Sequence, residues 1–342
     1  MNKFLDTIVD NRNAFLGILL IAQFLVFFLM VPYFFGIYNI SNMTQYGVEI
    51  GLLAFAEALI IISGGGGIDL SVGSLLSLSA MVIGVLVGRY NFNIWIAVAL
   101  GIGSATLGGA FNGFLVNLFK IPPLLVTLAT MYMYKSLALL ISVEPEFGNP
   151  MPISKFPENY FFIGQSTILG IPFQVFFIFI PIFFILNYYL KYTTFGRSLY
   201  AVGNNEKSAQ FSAISVAKTR FIAYIVGGLL VGIAAMIMTS RITSARPDLG
   251  TGYELQAITI AVLGGVSIFG GEGNMLGVLL SIGIIVTLYN GLQLAGVNAI
   301  WQMGALGLVL IGSVLGHNIL SQRAKRHQVL LTEQLSVSEG SK

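Results

Sequence analysis

Apolar runs of about 17–25 residues recur from one end of the chain to the other, separated by short segments in which charged and turn-forming residues gather. A helix rises about 1.5 Å per residue, so each run matches a hydrocarbon core of roughly 30 Å. The pattern predicts ten helical spans, near 14–31, 47–63, 72–88, 94–118, 124–143, 172–190, 221–240, 255–271, 275–293 and 299–316. The first run follows Lys3 and Arg12 as the core of a signal peptide does. It is longer than such a core and lacks a clear small-residue cleavage site, so it reads as a retained span.

Composition sharpens this picture. Of the 342 residues 56% are hydrophobic and 9% charged, against roughly 25% charged in a soluble domain, which leaves too little polar surface for a large soluble core. The chain has no cysteine, which excludes a disulfide framework and a thiol nucleophile. Its two histidines, His317 and His327, stand at the C-terminal end, so a histidine-built metal site within the membrane is excluded as well. The segment 191–220 carries Lys191, Arg197, Lys207, Lys218 and Arg220 against Glu206 alone, and this bias places it in the cytoplasm. Arg323, Lys325 and Arg326 after the last span, with Lys3 and Arg12 before the first, place both termini on the same side. The acidic loop 144–171 then lies outside, with scope for a short surface helix, and the polar tail 321–342 reads as disordered. A single membrane domain over 1–320 is expected, with halves 1–171 and 172–320.

The halves carry an internal echo. Asp69-Leu-Ser-Val-Gly-Ser-Leu-Leu76 returns as Asp248-Leu-Gly-Thr-Gly-Tyr-Glu-Leu255, an offset of 179 residues. Phe111-Asn112-Gly113 returns as Tyr289-Asn290-Gly291, an offset of 178, whereas Phe35-Gly36 and Phe195-Gly196 differ by 160. A repeat of five spans is odd, so its second copy is inverted in the membrane. The roughly 19 extra residues of the second half fall at Tyr200 to Thr219, within the basic loop. A segment present in one half only, on the cytoplasmic side, points to docking with a cytoplasmic partner.

Candidate chemistry is sparse. No glycine is followed by lysine, so the chain has no phosphate-binding loop and nucleotide hydrolysis falls to a separate subunit. The run Gly64 to Gly67 cannot sustain a helix, and the break is either a tight turn or irregular backbone beside the transport path. Asp69 fits two roles, N-cap of the third span or solute contact, and Asp248 fits the cap of the eighth. Glu57 is an intramembrane acid and a functional candidate by default, whereas Glu49 reads as solvated near the outer surface. Asn112 and Asn290 are polar and repeat-related; they are candidates for the path or for interhelical hydrogen bonds, with Gln256 and Gln293 behind them. Gly101, Gly108-Gly109-Ala110 and Gly227-Gly228 read as close helix packing.

Three segments carry a family resemblance: Gly66 to Ser74 (GGIDLSVGS), Phe195 to Ile214 (FGRSLYAVGNNEKSAQFSAI) and Thr251 to Asn274 (TGYELQAITIAVLGGVSIFGGEGN). Together they resemble the ribose-type permeases of ATP-binding-cassette (ABC) import systems, which serve monosaccharides, related polyols and autoinducer-2. The resemblance implies an all-α type II-like importer permease in the bacterial inner membrane, with no enzyme activity of its own. It implies ABC ATPase subunits holding ATP and magnesium, an extracytoplasmic solute-binding protein, and a second permease, either a copy or a paralogue. The implied surroundings are membrane lipid; nucleic acid is not a partner. Gly203, Asn204, Asn205, Glu206, Ala209, Ser212 and Ile214 fall in the segment that looks like the family's coupling helix. The chain departs from the family pattern at Ser208, at Gly65 and at Ala213, where a glycine is usual. The rival reading, an ion-coupled secondary transporter of a small polar solute, is disfavoured by the scarcity of intramembrane acids.

Overall fold

The computed structural model describes residues 12–146, 148–168 and 170–309, with 311, 312 and 315. Expectations for Lys3, His317, His327, Arg323, Lys325, Arg326 and the tail lie outside the described residues. Within them the chain is mostly helical: α1 (Arg12–Met30), α2 (Ile37–Ile62), α3 (Val72–Gly88), α4 (Ile94–Phe119) and α5 (Pro123–Ser142) come first. A loop carrying the short α6 (Glu158–Gln165) and a two-stranded hairpin, β1 (Thr167–Ile168) with β2 (Ile171–Pro172), joins them to the rest. Then follow α7 (Ile180–Tyr192), α8 (Thr194–Asn204), α9 (Glu206–Phe211), α10 (Val216–Ile242), α11 (Tyr253–Leu263), α12 (Met275–Leu294) and α13 (Ala299–Val309).

Seven of these stretches are long and apolar enough to cross a membrane, and α3, α11 and α13 are shorter apolar helices. The span expected at 255–271 is corrected: α11 has 11 residues and ends at Leu263. Residues 264–271 are apolar enough to satisfy a hydropathy window, yet Gly265, Gly270 and Gly271 take positive φ, which ends the helix. The span expected at 172–190 opens with a π-helical turn, Val175–Phe179, just ahead of Pro181, which has no amide hydrogen to give to an α-helical ladder.

Helix α2 is the axis of the bundle. Nearly every residue from Met43 onward is buried, against α10, α11 and α12. Helix α1 is the opposite case: Ile21, Leu29 and Met30 are each at least 70% exposed, an apolar surface suited to lipid rather than water. The pair α4–α10 packs through the small residues singled out above. A side chain on Gly109 would overlap the Tyr224 carbonyl, one on Gly228 would overlap that of Ala105, and one on Gly232 would lie 2.8 Å from Ile102 Cα. Backbones therefore meet directly, as small-residue stripes allow.

Two stretches of non-helical chain interrupt this bundle. After α2, Gly64, Gly65 and Gly66 turn with φ of 74°, 67° and 72°, and the chain folds back until the Asp69 amide donates to Glu57 Oε1 at 2.9 Å. After α10, residues 243–252 run back along α3. Ala245 bridges Ile153 in the loop between α5 and α6 and packs on Gly84, and further on the Gly250 amide donates to Ser77 Oγ at 2.9 Å. Gly73 and Gly250 then touch backbone to backbone, so the two Asp-Leu segments meet inside the bundle.

Candidate functional site

The sequence candidates divide between two places. Glu57, Asp69 and Asn112 come together in a closed polar cluster, each at most 2% exposed. Asp69 Oδ1 accepts from the Ser71 amide (2.8 Å) and hydroxyl (2.6 Å), and Asn112 Nδ2 donates to Ser71 Oγ at 2.8 Å. Tyr134 donates to Asn112 Oδ1 (3.1 Å) and to the Gly108 carbonyl, while Thr127 donates to the Ile68 carbonyl. These bonds fasten α4 and α5 onto the break after α2. The N-cap position of α3 is Ser71, which makes no side-chain cap, so Asp69 holds the turn from two residues upstream rather than capping the helix itself. Glu57 Oε2 and the Tyr224 hydroxyl are buried beside the cluster without a hydrogen-bond partner among the described residues.

Asp248 is not the cap of the following helix. That helix starts at Tyr253 from Gly252, with φ 87°, and the Asp248 carboxylate instead takes two bonds from Arg246, at 3.0 and 2.7 Å. The hydrogen bonds from that guanidinium hold the Asp248 carboxyl below the usual carboxylate range.

The segment carrying the proposed coupling residues forms a hairpin of α8 and α9. Asn205 is its hinge: extended at φ −155°, it accepts from the Ser208 amide and so caps α9. Ala213, where the family usually has glycine, sits at φ 59°, a left-handed conformation that disfavours a Cβ. Gly203 meets the rest of the protein backbone to backbone. A Cβ there would overlap the Ile62 carbonyl oxygen at the end of α2 and the Gly271 amide nitrogen in the loop before α12. A Cβ on Gly64 would lie 2.6 Å from Gly203 Cα, and the Gly271 amide donates to the Ile62 carbonyl at 3.0 Å. Tyr200 closes the junction by donating to the Gly273 carbonyl at 2.8 Å. Three glycine segments thus form one knot between hairpin, α2 and α12. Beside it Arg220 pairs with Glu206 at 3.4 Å, and a groove of ≈ 480 Å³ opens between Gly65, Asn117, Lys120 and that pair.

Asn290 lies elsewhere, at the end of the bundle away from the hairpin. Its amide is doubly bonded to that of Asn39, 2.8 Å in each direction. It lines a cavity of ≈ 410 Å³ with Tyr46, Arg241, Tyr253, Tyr289 and Gln293. Glu49, expected to be solvated, is fully buried behind this cavity, its carboxylate accepting from Arg241 Nε and Nη2 at 2.6 and 2.9 Å. Desolvation forces such a charge to find a partner. Arg241 is the residue that sequence reasoning missed; the available signal was a second intramembrane charge, of opposite sign, in the last turn of a long apolar helix.

The comparisons with known proteins agree in kind. The family described as "Branched-chain amino acid transport system / permease component" matches residues 39–314. The ribose import permease protein RbsC of Bacillus subtilis is 38% identical over 91% of this chain and 93% of its own length. The autoinducer 2 import system permease protein LsrD of Klebsiella pneumoniae is 34% identical over 92% and 93%, and RbsC of Escherichia coli K12 is 37% identical over 84% and 88%. No solved structure matches. With a family match over most of the chain, and relatives above 30% identity that are covered almost end to end, the chain belongs to the ribose-type ABC import permease family.

Proposed function

We propose that this chain is the membrane-spanning permease subunit of an ATP-driven importer for a monosaccharide or related small polyol, of the ribose or autoinducer-2 kind. It works in the bacterial inner membrane with both termini in the cytoplasm. Its partners are ABC ATPase subunits, which hold ATP and magnesium, a solute-binding protein on the far side, and a second permease copy or paralogue. The seven long and three shorter apolar helices are arranged as two inverted halves of five.

The glycine knot carries this reading. In the hairpin of Gly203 to Glu206, with Ala209, Ser212 and Ile214, the exposed Asn204, Asn205, Glu206 and Ser212 form the surface on which the ATPase acts, and Gly203 and the buried Ala209 pass its push inward. A displacement of the hairpin cannot be absorbed by side chains at Gly203, because backbone meets backbone there, so it passes to the ends of α2 and α12. Those two helices also line the cavity at the opposite end, so one stroke reaches both sides of the path. Glu57, Asp69 and Asn112 act as the structural hinge of this movement and Asn290 as a wall of the path.

The test is uptake by proteoliposomes holding the chain with its ATPase and binding-protein partners. Uphill accumulation of labelled ribose that requires ATP inside the assembly and survives an ionophore is the expected result. Accumulation that persists without the ATPase subunits and collapses with the ionophore would establish the ion-coupled alternative instead.

A further inference from the structure

We propose that the cavity lined by Tyr46, Arg241, Tyr253, Tyr289, Asn290 and Gln293 is a contact site for an uncharged polyhydroxylated solute, and that its charge arrangement excludes free amino acids. The proposal rests on the import reading above and names the chemistry that one site in the path selects.

Size permits a small ligand: ≈ 410 Å³ falls within the roughly 300–1,000 Å³ usual for such sites. The walls are preset before any ligand arrives. Tyr46 donates to Gln256 at 2.5 Å, its ring meets that of Tyr253 edge to face with centroids 6.0 Å apart, and Asn290 is fixed by its reciprocal bonds to Asn39. Walls whose rotamers are locked in this way lose little freedom on binding. Tyrosine rings offer flat apolar faces to the C–H side of a sugar ring. Hydroxyls need neutral donors and acceptors, and the Gln293 amide supplies both, since no hydrogen bond from the described residues engages it.

The charges decide between solutes. A branched-chain amino acid, the substrate in the family's description, brings a carboxylate and an ammonium. Arg241 is the sole cation lining the cavity, and two of its nitrogens are already committed to Glu49. An incoming carboxylate would reach only Nη1 of a guanidinium whose charge Glu49 already balances, so it meets a neutral pair and gains no free cation in exchange for its own desolvation. No acid lines the cavity to receive the ammonium, because Glu49 is fully buried behind Arg241. A polyol makes neither demand; Arg241 Nη1 remains as a donor to a hydroxyl oxygen.

The chain has no cysteine, so Asn42→Cys, in the lining of the same cavity but outside the proposed contacts, places a single reactive thiol in an exposed wall. In proteoliposomes with the full importer, a small neutral methanethiosulfonate is applied with excess D-ribose or with L-leucine. Ribose should slow labelling severalfold and leucine should not. In parallel, Tyr289→Ala should lower ribose uptake about tenfold, the equivalent of one lost aromatic contact, in an importer assembled in normal yield. Protection by leucine, or by neither solute while the assembly accumulates ribose, overturns the site and leaves the import reading intact. Protection by ribose in vesicles that accumulate nothing supports the site and fails the import reading.

Discussion

The two interruptions of the bundle begin alike in sequence and end in opposite surroundings. At 63–71 the acid, Asp69, is sealed beneath α4 and α5 and holds hydroxyl, amide and backbone partners. At 243–252 the acid, Asp248, lies in the open and is paired with the neighbouring Arg246. Their attachments differ too: the first break is knotted to the hairpin through Gly64 and Gly203, whereas the second is clipped to the loop between α5 and α6 through Ala245 and Ile153. The same short motif thus carries a sealed acid where protein closes over it and an exposed acid where none does. Of the two, the first touches the hairpin directly among the described residues.

The sharpest way to break this comparison is to add one methyl group to each side. Gly64→Ala forces a Cβ against Gly203 as well as a left-handed residue, and should destabilise the purified chain by roughly 2–5 kcal/mol. Gly252→Ala has the same φ problem but meets nothing within 4 Å, so only about 1–2 kcal/mol is expected. Thermal unfolding in detergent measures both, and equal losses would erase the difference drawn here. Next in size, Asp69→Ala strands the Ser71 amide and hydroxyl donors in a buried site and should lower stability by about 1–3 kcal/mol or more. Asp248→Ala serves as the opposite arm. Its folded carboxyl is held low, so its contribution is present above the ordinary carboxylate range and fades as pH falls through it. Exposure screens the pair, and no resolvable shift in midpoint is expected at neutral pH.

A smaller, favourable effect lies in the hairpin. Ala213→Gly removes a strained left-handed alanine from an exposed turn and should stabilise the chain by about 1 kcal/mol. A destabilised Ala213→Gly chain would mean that the turn is shaped by contacts rather than by its φ.

Much of this was legible in the sequence, for reasons that can be named. The Gly109, Gly228 and Asp69 neighbourhoods follow from local patterns, because small-residue stripes and glycine runs constrain the backbone wherever they occur. The depth of the second break was not legible: residues 264–271 are apolar without being helical, so hydropathy lengthened α11 at its end and concealed the returning segment at its start. The Glu49–Arg241 pair escaped because the partners stand 192 residues apart and only tertiary packing brings them to one depth. The candidate residues were separated for the same reason. Asn112 and Asn290 look equivalent along the chain, yet one is sealed in the hinge and the other lines the cavity.

The direct test of the hinge account is Gly203→Ala in the reconstituted importer, with uptake and ATP hydrolysis read on the same vesicles. The knot predicts that hydrolysis continues while solute moved per ATP falls at least about tenfold, since even 1.4 kcal/mol of misfit at the junction has that effect on an equilibrium. Uptake per ATP equal to that of the unaltered chain would contradict it.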